Sequence, residues 1–262
     1  MKKAIFLRIL AVLVLLGGIF YIIYSDYKQM KLSLGDSPVD LATSTPLVNL
    51  PTATINSVDA EKDSLAIPPP SLDRPYKLPA SVDKILGARV MKDIESSIIS
   101  LRSDPDQFGK WLDLALLRKF IEDYDGAEEI WVFMSKEWAD NPIAFGNLGD
   151  LYTFYLKNYP KAEANLKMVI DIDPSDVSAY RNLYMLYTNQ YTEKKSEALP
   201  TLLVGIKANQ KVTDLMVLAA GYYKDAGDGA KAKEYYNMAL PLAEAQKNDF
   251  LIDFLNKELK NL

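Results

Sequence analysis

Hydrophobic and polar positions along the 262-residue chain fall into three regimes. From Ala4 to Tyr24 every residue except Arg8 is apolar, aromatic or glycine. At about 1.5 Å per residue this run spans about 30 Å, the thickness of a bilayer core, and predicts one transmembrane helix within residues 1–25. Residues 26–81 carry no periodic apolar face and contain eight of the 14 prolines, mixed with Ser, Thr and Asp. That composition predicts a disordered tether. From residue 82 onward apolar positions recur every three to four residues, Pro and Gly mark the breaks, and no stretch alternates as a strand would, so residues 82–262 are expected to be all-α.

The flanks of the apolar run orient it. Lys2, Lys3 and Arg8 crowd one side, whereas Asp26, Lys28, Lys31 and Asp36 nearly cancel on the other, which places the N-terminus in the cytoplasm and the rest of the chain outside the cytoplasmic membrane. Arg8 sits one turn from the end, where its stem reaches the headgroups. A cleaved signal peptide shares the charged start and apolar stretch. Against it, the uninterrupted part from Ile9 to Tyr24 exceeds a usual signal core, and Ser25-Asp26-Tyr27-Lys28 follows without an Ala-x-Ala-like site.

Four alanines then share a setting: Ala127 in YDGAEEIWVFM, Ala162 in YPKAEANLKMV, Ala198 in KSEALPTLLVG and Ala232 in DGAKAKEYYNMA. Their spacings are 35, 36 and 34 residues. Around them stand Trp111, Leu114, Ala115 and Trp131; Phe145, Leu148, Gly149, Tyr152, Leu166 and Val169; Tyr180, Leu183, Tyr187 and Leu202; and Ala220, Tyr223, Gly227, Tyr236 and Ala239. In these positions the chain resembles the tetratricopeptide repeat (TPR) family. The resemblance implies a helix-turn-helix solenoid of four repeats, at about 106–141, 142–176, 177–212 and 213–246, with one residue inserted near Pro160 and two in the inner turn of the third repeat. Val82–Leu101 and Asp249–Leu262 read as capping helices. In the third repeat Tyr184 stands where its neighbours have Ala115, Gly149 and Ala220, and Gly205 is expected to make room for it.

Composition narrows the chemistry. The chain has no Cys and no His, which excludes disulfides, thiolate nucleophiles, imidazole bases and Cys/His metal sites. A net charge of −5 offers no field for nucleic-acid phosphates, and no glycine-rich phosphate loop is present. No catalytic residue, cofactor, metal ion or small-molecule substrate is expected. The pairs Glu128-Glu129 and Asp171-Asp173 could be nominated for glycan cleavage on a helical scaffold, but they read as solvated faces and caps. Tyr180, Tyr184, Tyr187 and Tyr191 read as packing.

What the TPR resemblance implies is a groove along the first helices that holds a protein or peptide segment. The carried-over groove positions include Leu112, Leu116, Thr153, Thr188, Val217, Lys224 and Asp225, with Lys119, Phe120, Asp150, Phe154, Arg181, Met185 and Asn189 as the expected contact residues. Leu112, Leu116 and Asp150 stand where family members that clamp a C-terminal carboxylate have Lys or Asn, so that mode is not expected. The sequence therefore points to a membrane-anchored, non-enzymatic adaptor for an envelope or secretion assembly. A periplasmic or surface chaperone for translocated polypeptides is the alternative.

Overall fold

The computed structural model describes residues 68–80 and 82–262. The expected membrane helix and the tether through residue 67 lie outside the described residues. Among the described residues the regular structure is entirely helical, and no helix there is long and apolar enough to cross a membrane.

Helix α1 (Lys84–Ser103) is followed by four helix pairs. These are α2 (Phe108–Phe120) with α3 (Tyr124–Glu137), α4 (Pro142–Asp150) with α5 (Tyr159–Ile172), α6 (Val177–Met185) with α7 (Ala198–Ala208), and α8 (Thr213–Asp225) with α9 (Gly229–Ala245). Helix α10 (Asp249–Lys260) closes the series, and each helix packs on the next.

Four of the turns share one local device. Glu122, Lys157, Gly227 and Lys247 adopt positive φ, which turns the chain out of a helix, and each is followed by Asp123, Asn158, Asp228 or Asn248. The amide of that following residue donates to the carbonyl five or six residues back, to Arg118, Tyr152, Tyr223 and Ala243 in turn, at 2.9–3.0 Å. Its side chain then accepts from the first-turn amides of the next helix. One Asx residue thus ends one helix and caps the next.

Ala127, Ala162, Ala198 and Ala232 are all fully buried, as expected of close helix contacts. One core cluster, built on Trp111, Trp131, Met134, Leu148 and Leu166, runs through the first three pairs; a second, on Tyr180, Leu202, Leu215, Tyr236 and Leu255, joins the last two pairs to α10. Gly205 does not serve Tyr184: a Cβ there would lie 2.7 Å from the Tyr180 ring and 2.8 Å from Leu215. Tyr184 itself is half-buried. In α10 only Leu255 is buried, while Phe250 is 86% exposed, so that cap covers less than its apolar spacing suggested.

The inserted residues are found inside the first helices. Helix α4 widens into a π-helical segment, Leu151–Tyr155, with Leu156 N–H donating to Leu151 O at 2.9 Å. Helix α6 does the same at Leu186–Gln190, where Tyr191 N–H reaches Leu186 O at 2.7 Å. A 3₁₀ segment, Thr192–Glu197, takes up the remaining addition before α7. A π-turn holds one extra residue without ending the helix.

The last part of the expected tether is ordered. Residues 68–80 run without helix along the solenoid start, with Pro70 buried and Leu72, Tyr76 and Leu78 packed on the first core cluster. Leu78 occupies the space that Gly87 leaves open. Arg74 donates from Nη2 to Asp123 at 2.8 Å and lies 3.5 Å from Glu129; Arg118, 1% exposed, donates to Asp123 at 2.7 Å and to the Arg74 carbonyl at 3.2 Å. Arg102 also pairs with Asp73. Three apolar anchors and a two-arginine clasp account for the docking of a segment that has neither helical nor strand periodicity.

Candidate functional site

The two π-segments carry the same tripeptide, Leu151-Tyr152-Thr153 and Leu186-Tyr187-Thr188. The Thr153 and Thr188 hydroxyls donate to the carbonyls four residues back, Gly149 at 2.7 Å and Tyr184 at 2.9 Å, where the helix widens. The tyrosines bind the preceding helix pair. Tyr152 donates to Glu128, which also accepts from Lys161 at 3.0 Å; Tyr187 donates to Glu163 at 3.0 Å, which accepts from Lys167 and Lys194 at 2.7 Å. Burial pushes the Glu163 carboxyl up, but hydrogen bonds from Lys167, Lys194 and Tyr187 outweigh it and hold the group below the usual carboxylate range. These Glu–Tyr–Lys clasps staple neighbouring repeats. Of the carboxylates nominated for glycan cleavage, Glu128 is held in the first clasp, and Glu129 lies 3.5 Å from Arg74.

Beside the clasps, the first helices of the second and third repeats enclose a concavity of about 40 Å3. Its lining is Asp150, Thr153, Phe154, Asn182, Met185, Leu186, Asn189 and Gln190, and five of these eight come from the π-segments. Phe154 is 56% and Met185 42% exposed at its rim, and Leu186 forms a buried floor.

Four of the expected contact residues, Asp150, Phe154, Met185 and Asn189, meet here. The other three do not line it. Phe120 is 44% exposed on α2, one repeat before Phe154. Lys119 turns toward aromatic rings, with Nζ 5.1 Å from the Tyr155 centroid and 5.9 Å from that of Trp131, and burial lowers its pKa against the pull of Asp150. Arg181 pairs with Asp214 of the fourth repeat at 3.3 Å. Among the other carried-over positions, Leu112 and Thr153 are buried and Lys224 pairs with Glu258. The Asp150 carboxylate makes no hydrogen bond or ion pair among the described residues; burial raises its pKa, opposed by Lys119.

Sequence reasoning missed Asn182, Leu186 and Gln190. The repeated Leu-Tyr-Thr at a spacing of 35 was the available signal, because it marks where each first helix changes pitch. Among the described residues no group of three or more acidic side chains is placed to hold a metal ion.

No family model and no curated protein matches the sequence. Solved structures do. The crystal structure of MamA aligns with a TM-score of 0.51 at 18% identity, over 63% of this chain and 95% of that one. TTC0263, a thermophilic TPR protein of Thermus thermophilus, aligns at 0.45 and 16% identity, covering 67% and 94%. YrrB, titled a TPR protein with an unusual peptide-binding site, aligns at 0.45 and 18%, covering 66% and 88%. With four antiparallel helix pairs, buried alanines at the expected period and the MamA alignment, the fold is that of a tetratricopeptide-repeat solenoid.

Proposed function

We propose that the chain is a protein-interaction adaptor that holds an extended or helical segment of a partner protein along its first helices, centred on the concavity between the second and third repeats. The observation that carries this is the placement of three of the exposed large apolar side chains, Phe120, Phe154 and Met185, on successive first helices, two of them at the rim of the concavity. Single exposed apolar residues are ordinary, but Phe154 and Met185 at the rim of a concavity lined by Asp150, Asn182, Asn189 and Gln190 have the composition of a recognition surface. Adaptor binding needs only that complementarity, with no reactive group. In the same proposal the apolar run 4–24 anchors the chain in the cytoplasmic membrane and the Pro-rich residues that follow hold the solenoid off the lipid, within reach of an envelope or secretion assembly.

A photo-crosslinking residue placed at 154 or 185 in the full chain, in its native membranes, tests this. Discrete protein adducts are expected from both positions and not from position 238, an exposed Met on the second helix of the fourth repeat. Identical adducts from 238, or none from 154 and 185, would place the partner surface elsewhere.

A further inference from the structure

We infer that the concavity between Asp150 and Asn189 is a receptor for one basic side chain of the bound segment: the stem of a Lys or Arg lies between Phe154 and Met185, and its cationic head meets the Asp150 carboxylate. This rests on the adaptor reading of the same surface and specifies what that surface selects.

Three observations support it. First, the charges near the site are unevenly matched. Arg181 is paired with Asp214, Lys224 with Glu258, and Lys119 lies over Tyr155 and Trp131 beyond ion-pair distance of Asp150, whereas Asp150 has no partner among the described residues. None of the eight lining residues is a cation. A half-buried carboxylate without a donor gains most from an incoming cation, because charge-assisted hydrogen bonds are about twice as strong as neutral ones.

Second, the remaining polar lining suits the same guest. The side-chain carbonyls of Asn182, Asn189 and Gln190 can each accept an N–H, and Gln190 already accepts a hydrogen bond from the Tyr159 hydroxyl at 3.3 Å. An ammonium carries three donors and a guanidinium five, and neither accepts, so the acceptor-only carboxylate, with amide oxygens beside it, favours them over neutral guests. Third, size and wall chemistry agree. A volume of about 40 Å3 holds a charged head, while the exposed Phe154 and Met185 at the rim offer apolar surface for the methylenes.

The test uses the full chain in detergent micelles and pools of acetylated nonapeptides, random at eight positions, with the central residue set to Arg, Lys, citrulline, norleucine or Glu. The Arg and Lys pools should be retained at least about tenfold better than the citrulline and norleucine pools, the factor expected for one hydrogen-bonded charge. Asp150→Asn should erase that difference, bringing retention of the Arg and Lys pools down to the level of the citrulline and norleucine pools on the same variant. The comparison of Arg with citrulline on the unaltered chain needs no variant and is independent of folding. Equal retention of all pools by the unaltered chain, lost in a Phe154→Ser/Met185→Ser variant, would overturn the basic-residue inference and leave the adaptor reading intact; so would a basic preference that survives in D150N. Retention of no pool, or retention unaffected by the double variant, would overturn both.

Discussion

Asp123 ties residues 68–80 to the first repeat through Arg74 and Arg118, and replacing it by Asn isolates its charge. The carboxylate accepts from Arg74, from Arg118 at 2.7 Å and from the Gly126 amide at 3.1 Å. An Asn keeps an oxygen for Gly126, so the helix cap survives, but Arg118, 1% exposed, keeps its charge and loses its counter-ion. Removing one partner of a buried pair costs about 3–5 kcal/mol. Arg74 is 32% exposed, so Arg74→Ala should remove only about 1 kcal/mol of ion-pair stability and loosen residues 68–80. All three tryptophans, Trp111, Trp131 and Trp138, lie in the first repeat, so urea unfolding followed by intrinsic fluorescence reads this region directly. The pH dependence has a definite sign. Burial raises the Asp123 pKa, hydrogen bonds from Arg74, Arg118 and Gly126 more than offset that, and the folded-state value lies below the ordinary one. The stabilisation is therefore present above the unfolded-state pKa of about 4 and is lost as pH falls through the depressed value. In D123N that acid-labile component should disappear. A loss below about 1 kcal/mol in D123N, or equal losses in D123N and R74A, would show that Arg118 is not held by this pair.

Three further outcomes are expected. Ala162→Phe should destabilise the solenoid by about 1–3 kcal/mol by overpacking a fully buried contact, while Ala164→Phe, two residues on and exposed, should change the melting temperature little; equal effects would contradict the repeat register. In the Glu163 clasp, Tyr187→Phe should cost about 1.5 kcal/mol and Glu163→Ala more, since the latter also strands a buried hydroxyl; the double variant should be no worse than Glu163→Ala, and additive losses would show the two groups to be uncoupled. The full chain should stay with membranes through high-salt and alkaline washing, because an apolar run of 21 residues is not held by charge; release of a soluble species starting near Ser25 or Asp36 would show cleavage instead.

What was legible in the sequence follows from period. Helix pairs announce themselves through the 3.6-residue apolar repeat, and Ala127, Ala162, Ala198 and Ala232 through the need for small side chains at close approach. The docked segment 68–80 was illegible because what holds it is non-local: Leu72, Tyr76 and Leu78 sit among prolines with no regular spacing, and Arg74 finds Asp123 49 residues away. The expected contact residues were half legible. Register alone brought Asp150, Phe154, Met185 and Asn189 to one concavity, but register carries no information about pairing, so it could not foresee that Arg181 turns to Asp214 or Lys119 to its aromatic neighbours.

The inserted residues show how local irregularity builds the site. Repeat length revealed that the second and third repeats carry extra residues, and the natural place for them was a turn. Each first helix instead absorbs one by widening, which changes the direction of every side chain after it by about the 100° that one helical residue subtends. That places Tyr152 and Tyr187 against Glu128 and Glu163 of the preceding helix pair, and it brings Phe154 and Asn189 to the rim of one concavity. The fourth repeat has no such widening: α8 is regular, Leu199 stands at the position corresponding to Glu128 and Glu163, and Tyr223 stacks on Tyr235 at 5.5 Å. The clasp and the concavity thus arise from the same departure from the ideal repeat. Restoring regular α-helical length in the second and third repeats would turn Phe154 and Asn189 away from the concavity, even in a chain that still folded as a solenoid.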